Sequence, residues 1–126
     1  METNRSLCGG TGNVRREFLF ADDLADACVF LMNIPRGEFW TKVDKRCSHV
    51  NVGYGEDVTI RELAGLIKRV VGFQGELEFD HSRPDGSPQK MLNSKLVNDL
   101  GWSPSTKIEN GLDLVTKEFI ERAPPR

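Results

Sequence analysis

Residues 59–72, Thr-Ile-Arg-Glu-Leu-Ala-Gly-Leu-Ile-Lys-Arg-Val-Val-Gly, read as one helix with its start and its stop both written in the sequence. Thr59 and Glu62 have the spacing of a capping box, in which hydroxyl and carboxylate each satisfy a backbone N–H that the first turn would leave unpaired. Ile60, Leu63, Ala64, Ile67, Val70 and Val71 recur at helical spacing and define one apolar stripe, and Gly72 provides the left-handed residue on which helices commonly end. Downstream, Glu76 to Asp80 alternates charged and apolar residues, the pattern of a half-buried strand. Upstream, His49 to Val52 alternates likewise and stops at Gly53, predicting a strand followed by a loop through Gly55.

Working outward, Asp22 or Asp23 is expected to cap a helix that buries Leu24, Ala27, Cys28, Leu31 and Met32 and ends near Asn33, before Pro35. Phe39, Trp40 and Val43 predict a short amphipathic turn. Asn93 or Ser94 opens a short helix with Leu96, Val97 and Leu100 inward, closed by Gly101, and Trp102 reads as packing. A last helix runs from about Ile108 to Arg122, with Leu112, Val115, Phe119 and Ile120 on its packing face. Pro84-Asp85-Gly86 is a tight-turn sequence. The Gly9-Gly10-Thr11-Gly12 stretch resembles a phosphate loop, but such a loop joins an apolar strand to a helix. Here an unstructured start is expected to precede the glycines and Glu17-Phe18-Leu19-Phe20 continues as extended chain, so a turn leading into a strand is the better reading. The expected organisation is a flexible N-terminus over 1–12, one unit over 13–122 and a tail over 123–126. The fold class is α+β, a small α/β layer with few short strands and about four helices.

The 126 residues contain 38% hydrophobic and 29% charged residues with a net charge of −2, the balance of a globular chain. No apolar run reaches the ~18 residues of a membrane span, and nothing in Met1 to Gly12 resembles a secretory signal, so a cytoplasmic protein is expected. Acids and bases are balanced without a basic cluster, which argues against nucleic-acid and membrane partners. Cys8, Cys28 and Cys47 lack paired zinc spacing and disulfide density, and Cys28 is expected to be buried as a small hydrophobe. His49 and His81 have no partners at metal-ligand spacing, so no metal site is expected.

Two stretches, GTGNVRREFLFADDLADACVFLM (10–32) and HVNVGYGEDVTIRELAGLIKRVVGFQGELEFDHSRPDGSPQKMLNSKLVNDLGW (49–102), resemble the C-terminal, substrate-side part of the GDP-L-fucose synthase family. That family belongs to the extended short-chain dehydrogenases/reductases, the NAD-dependent epimerase/dehydratase group. RREFL, DDLADA, NVG-x-G, TIRELA, PDG-x-P-x-K and LGW fall at the family's separations. The resemblance implies that the Rossmann half, with its glycine-rich turn and Ser-Tyr-Lys catalytic set, lies outside these residues. The single tyrosine, Tyr54, is not in a Tyr-x-x-x-Lys motif. It follows that no catalytic or cofactor-binding residue is expected here, and NADP enters only if a separate Rossmann-containing chain completes the enzyme.

By motif position, the resemblance implies a substrate-binding half-site of Arg16 as a diphosphate clamp, with Asp85 and Lys90 lining a nucleotide-sugar. The guanidinium fork suits a diphosphate, a carboxylate accepts from sugar or base groups, and an ammonium complements phosphate charge. Each also has a plainer role: Arg16 as an ion-pair partner of Glu17, Asp22 or Asp23, Asp85 as a turn stabiliser, Lys90 as a solvated charge. Gly9 stands where many family members carry tryptophan, and Asn93 where they carry aspartate, so one aromatic wall is missing. Three functions remain open at this point: an inactive fragment with weak GDP-sugar binding, a self-associating or partner-binding module, and one half of a split enzyme. A homodimer is expected, because short strands leave sheet edges that a second chain would cover.

Overall fold

The computed structural model describes residues 4–122. In chain order they form β1 (Arg5–Gly9), β2 (Arg15–Glu17), α1 (Ala21–Asn33), α2 (Arg36–Lys42), β3 (Asp57–Thr59), α3 (Ile60–Val70), β4 (Glu76–Asp80), β5 (Gln89–Lys90), α4 (Lys95–Leu100) and α5 (Ile108–Arg122). This is an α+β chain, as expected, with five helices among the described residues. They group into two compact units in place of the single unit expected over 13–122. One comprises residues up to 16, 58–90 and from 107, and the other comprises 17–57 and 91–106. The tail expected over 123–126 lies outside the described residues.

In the first unit β1 runs parallel to β4, pairing Arg5 with Glu76 through to Gly9 with Asp80. Residues 5–9 of the start expected to be flexible over 1–12 thus stand in a strand. They find their ladder 71 positions downstream, beyond any local pattern; at this end of the chain Met1 to Thr3 fall outside the described part. A second, three-stranded sheet has the order β3-β2-β5, with β2 parallel to β5. α3 begins as its sequence dictates. Glu62 N–H donates to Thr59 Oγ1 at 3.0 Å and Thr59 N–H donates to Glu62 Oε2 at 2.7 Å, completing the capping box.

The second unit holds the buried core: Ala27, Val97 and Trp102, with Leu19, Phe30, Leu31, Val50 and Val52 packed against them. His49 to Val52 thus lies outside any helix or strand, with Val50 and Val52 packed on this core; the alternation reported burial and not pairing. α1 starts after Phe20, so Asp22 and Asp23 lie within its first turn and neither caps it. Its inward face is Ala27, Phe30 and Leu31, while Leu24, Cys28 and Met32 are exposed, which corrects the expected face and the expected burial of Cys28. α4 closes at Gly101, whose φ of 113° lets the Trp102 N–H reach Val97 O at 3.1 Å and turns the indole inward.

α5 has the expected bounds but not the expected packing. Leu112 is half-buried, whereas Val115, Phe119 and Ile120 are 53%, 73% and 67% exposed. A helical stripe identifies an apolar face without guaranteeing that anything in the chain covers it.

Candidate functional site

The three residues marked by motif, Arg16, Asp85 and Lys90, all fall in the first unit. β2 and β5 bring two of them together, because Arg16 pairs in register with Lys90. Registered residues on neighbouring strands present their side chains to the same face, so the two cationic residues share one face of the sheet. Lys90 is exposed and carries no ion pair among the described residues. Arg16 is half-buried, and its Nη1 donates to Arg15 O at 2.6 Å and to Ser87 O at 2.8 Å. Two carbonyls thereby fix the fork against the 84–88 loop. This is not the ion pair with Glu17, Asp22 or Asp23 that stood as its plainer role.

Asp85 is engaged elsewhere. Thr11 N–H donates to its Oδ1 at 2.9 Å and Thr11 Oγ1 to its Oδ2 at 2.6 Å, so the carboxylate clamps the GTG loop to the PDG turn. The hydrogen bonds from the Thr11 hydroxyl and backbone N–H hold the Asp85 carboxyl below the usual carboxylate value, outweighing its slight desolvation. The loop glycines answer to this packing. Gly10 has φ +85°, and a Cβ there would lie 2.4 Å from Asp85 Oδ1; a Cβ on Gly12 would lie 2.5 Å from the Phe79 ring. Gly10→Ala therefore combines a left-handed residue with a collision on the clamp, and is expected to cost about 2 kcal/mol, read as a lowered midpoint in urea unfolding.

The phosphate-loop alternative is settled by topology. β1 does precede the glycines, but β2 and not a helix follows them. Further contacts had no local signal in the sequence. Arg61 places its guanidinium carbon 3.9 Å from the Phe79 ring centroid and donates through Nη2 to Thr11 O at 2.5 Å. At Gly9, the position that carries tryptophan in many members of the family the sequence resembles, the space beside the backbone is filled by Arg83, whose Cδ would lie 3.1 Å from a Cβ. In the second unit, Glu17 accepts from Gly55 N–H at 2.7 Å and Leu92 N–H at 2.9 Å, fastening the NVGYG loop.

No helix among the described residues is long and apolar enough to cross a membrane. No protein-family model matches the chain. It is 47% identical over 112 residues to probable GDP-L-fucose synthase 1 of Oryza sativa subsp. japonica, covering 89% of this chain and 31% of the relative. It is 50% identical over 103 residues to GDP-L-fucose synthase 1 of Arabidopsis thaliana, covering 82% and 29%. Among solved structures, a GDP-6-OMe-4-keto-L-xylo-heptose reductase from C. jejuni superposes with a TM-score of 0.84 at 34% identity, over 94% of this chain and 34% of that one. The chain thus belongs to the extended short-chain dehydrogenase/reductase family. Within it, these residues correspond to the C-terminal part of GDP-L-fucose synthase-like proteins, and span about a third of the length of the curated relatives they match.

Proposed function

We propose that these residues form the nucleotide-sugar half-site of a GDP-sugar-processing enzyme and do not by themselves carry out reduction or epimerisation. The registered pair of Arg16 and Lys90, beside a loop held by Asp85, is the observation that supports this reading. A diphosphate carries charge that a fixed guanidinium fork and a neighbouring ammonium both complement, and Arg16 is already oriented by two carbonyls. The relatives' names, which include GDP-L-fucose synthases and a GDP-linked heptose reductase, favour a guanosine diphosphate sugar as the ligand. Asp85 acts on the ligand indirectly, by shaping the loop. Hydride transfer needs a bound dinucleotide and a positioned proton donor, and 126 residues with one tyrosine outside Tyr-x-x-x-Lys supply neither. NADP chemistry would come from a chain bearing the glycine-rich turn, which this half-site would complete.

Isothermal titration with GDP and a GDP-sugar tests the reading. Saturable binding is expected, weakened about tenfold by Arg16→Ala (about 1.4 kcal/mol) and about threefold by Lys90→Ala. Absence of binding at millimolar ligand would overturn it.

A second reading, self-association, is favoured by the first unit's uncovered apolar surface. Its buried hydrophobic residues are none among the described ones, and Ala64, Ile67, Val71, Phe73 and Leu77 line an open groove of about 340 Å³. With the exposed end of α5, this is surface that a second copy would remove from water. Light scattering across a concentration series distinguishes the two: a mass of one copy throughout would exclude self-association, and a mass of two would establish it.

A further inference from the structure

The second unit contains a thiol and an imidazole that the half-site does not use. Cys47 Sγ lies 3.4 Å from His49 Nδ1, and both residues are exposed. The turn that ends at Cys47 places its thiol within reach of the imidazole two residues on. The pair is held from both ends. On one side Cys47 N–H donates to Asp44 O at 3.0 Å and Arg46 N–H to Asp44 Oδ1 at 2.8 Å, closing a turn directly after the buried Val43. On the other, Val50 and Val52 pack against the core. The turn carries Lys45 and Arg46; Asp44 is the acid on it, with Oδ1 3.7 Å from Arg46 Nε. Cys28 is also exposed but has no polar partner among the described residues, and Cys8 lies half-buried in β1.

We infer that Cys47 is a covalent modification site, at which the thiol, with His49 as its base, forms a mixed disulfide with a small anionic disulfide such as oxidised glutathione. With the imidazole proton on Nε2, Nδ1 is free to accept the S–H proton as Sγ attacks one sulfur of the incoming disulfide. The Cys47–glutathione S–S bond forms as the glutathione S–S bond breaks. The departing thiolate takes the proton from the imidazolium and leaves as glutathione, so Cys47 is oxidised and one glutathione sulfur is reduced. Lys45 and Arg46 attract the glutathione carboxylates, a contribution that a neutral electrophile would not feel.

The purified chain is incubated at pH 7 with oxidised glutathione or with iodoacetamide, and modification of each cysteine is followed by peptide mass spectrometry. A base in a solvent-open pair falls below the usual hundredfold or more of an enclosed site, so Cys47 is expected to react about tenfold faster than the equally open Cys28. His49→Gln, whose amide cannot take the proton, should bring Cys47 down to the Cys28 rate with both reagents. The Lys45→Gln, Arg46→Gln double variant should slow glutathione disulfide severalfold while changing iodoacetamide less than twofold. Circular dichroism of each variant confirms that the fold is retained, as expected for exposed positions. Equal rates at Cys47 and Cys28, or a Cys47 rate indifferent to His49→Gln, would overturn the assignment.

Discussion

Trp102→Ala is expected to destabilise the second unit by about 4 kcal/mol, the middle of the range for a large aromatic removed from a core. The indole is 5% exposed and touches Ala27 and Val97, both fully buried, so nothing mobile is at hand to refill the space. Truncation also strips a hydrogen-bond donor from Asp26, whose Oδ2 accepts from the indole Nε1–H at 2.8 Å. The two contributions separate in Trp102→Phe. Phenylalanine keeps most of the apolar area and loses only the N–H, so a cost of about 1–2 kcal/mol is expected there. Urea unfolding of the three proteins checks the order, and thermal melts should show Trp102→Ala lower by roughly 15 °C. Near-equal costs for Ala and Phe would mean that the hydrogen bond, and not the packing, dominates.

The indole reaches this position through a local device that was plain in the sequence. Gly101 after a short apolar helix marks a left-handed stop, and the residue after such a glycine folds back on the helix. The Thr59–Glu62 box is of the same kind: its donors and acceptors lie three residues apart, so the sequence contains the whole interaction. What the sequence hid lies far apart along the chain. β1 reads as polar and Gly-rich because its ladder partner begins at Glu76, and β2, β3 and β5 are two- or three-residue strands with no room for a period to show. Periodicity located the apolar stripe of α5 but carried no information about whether Val115 and Phe119 would meet a partner.

The candidate site divides along the same line. Residue chemistry alone offered equally good solvated or ion-paired roles for Arg16 and Lys90, and only the resemblance to a family joined them. Their adjacency depends on the pairing of β2 with β5, which spans more than seventy residues. Asp85 was legible as a turn residue, and its clamp on Thr11 is an extension of that role across the loop. Glu17 gave no signal at all. Its partners are backbone N–H groups at Gly55 and Leu92, and a backbone donor leaves no mark on the sequence.

Asp23 follows the same rule and has a large energetic consequence. A charged residue in the first turn of a helix ordinarily faces water, where it complements the helix dipole, yet Asp23 is only 6% exposed. Burial by itself pushes its carboxyl upward. The Thr106 backbone N–H at 2.9 Å, the Ser105 hydroxyl at 2.9 Å and the Thr106 hydroxyl at 3.1 Å outweigh that penalty and hold it below the ordinary value of 3.8. Asp23→Ala leaves three donors facing an apolar methyl, of which the two hydroxyls can turn away and the backbone N–H cannot, so a loss of about 3 kcal/mol is expected. Asp23→Asn should cost only about 1 kcal/mol. Its amide oxygen can face the Thr106 N–H while its NH2 donates to hydroxyls that rotate to accept. The same carboxylate gives the protein an acid limit. Because the folded state lowers the Asp23 pKa, its stabilisation is complete above the unfolded value near 3.8 and is lost as pH falls through the lower folded value. Comparing wild type with Asp23→Asn in urea between pH 3 and pH 6 isolates this contribution: the gap between them should be constant above about pH 5 and narrow steadily below pH 4. A gap that stays constant down to pH 3 would mean that Asp23 acts through its shape and hydrogen bonds alone, with its charge contributing nothing to the fold.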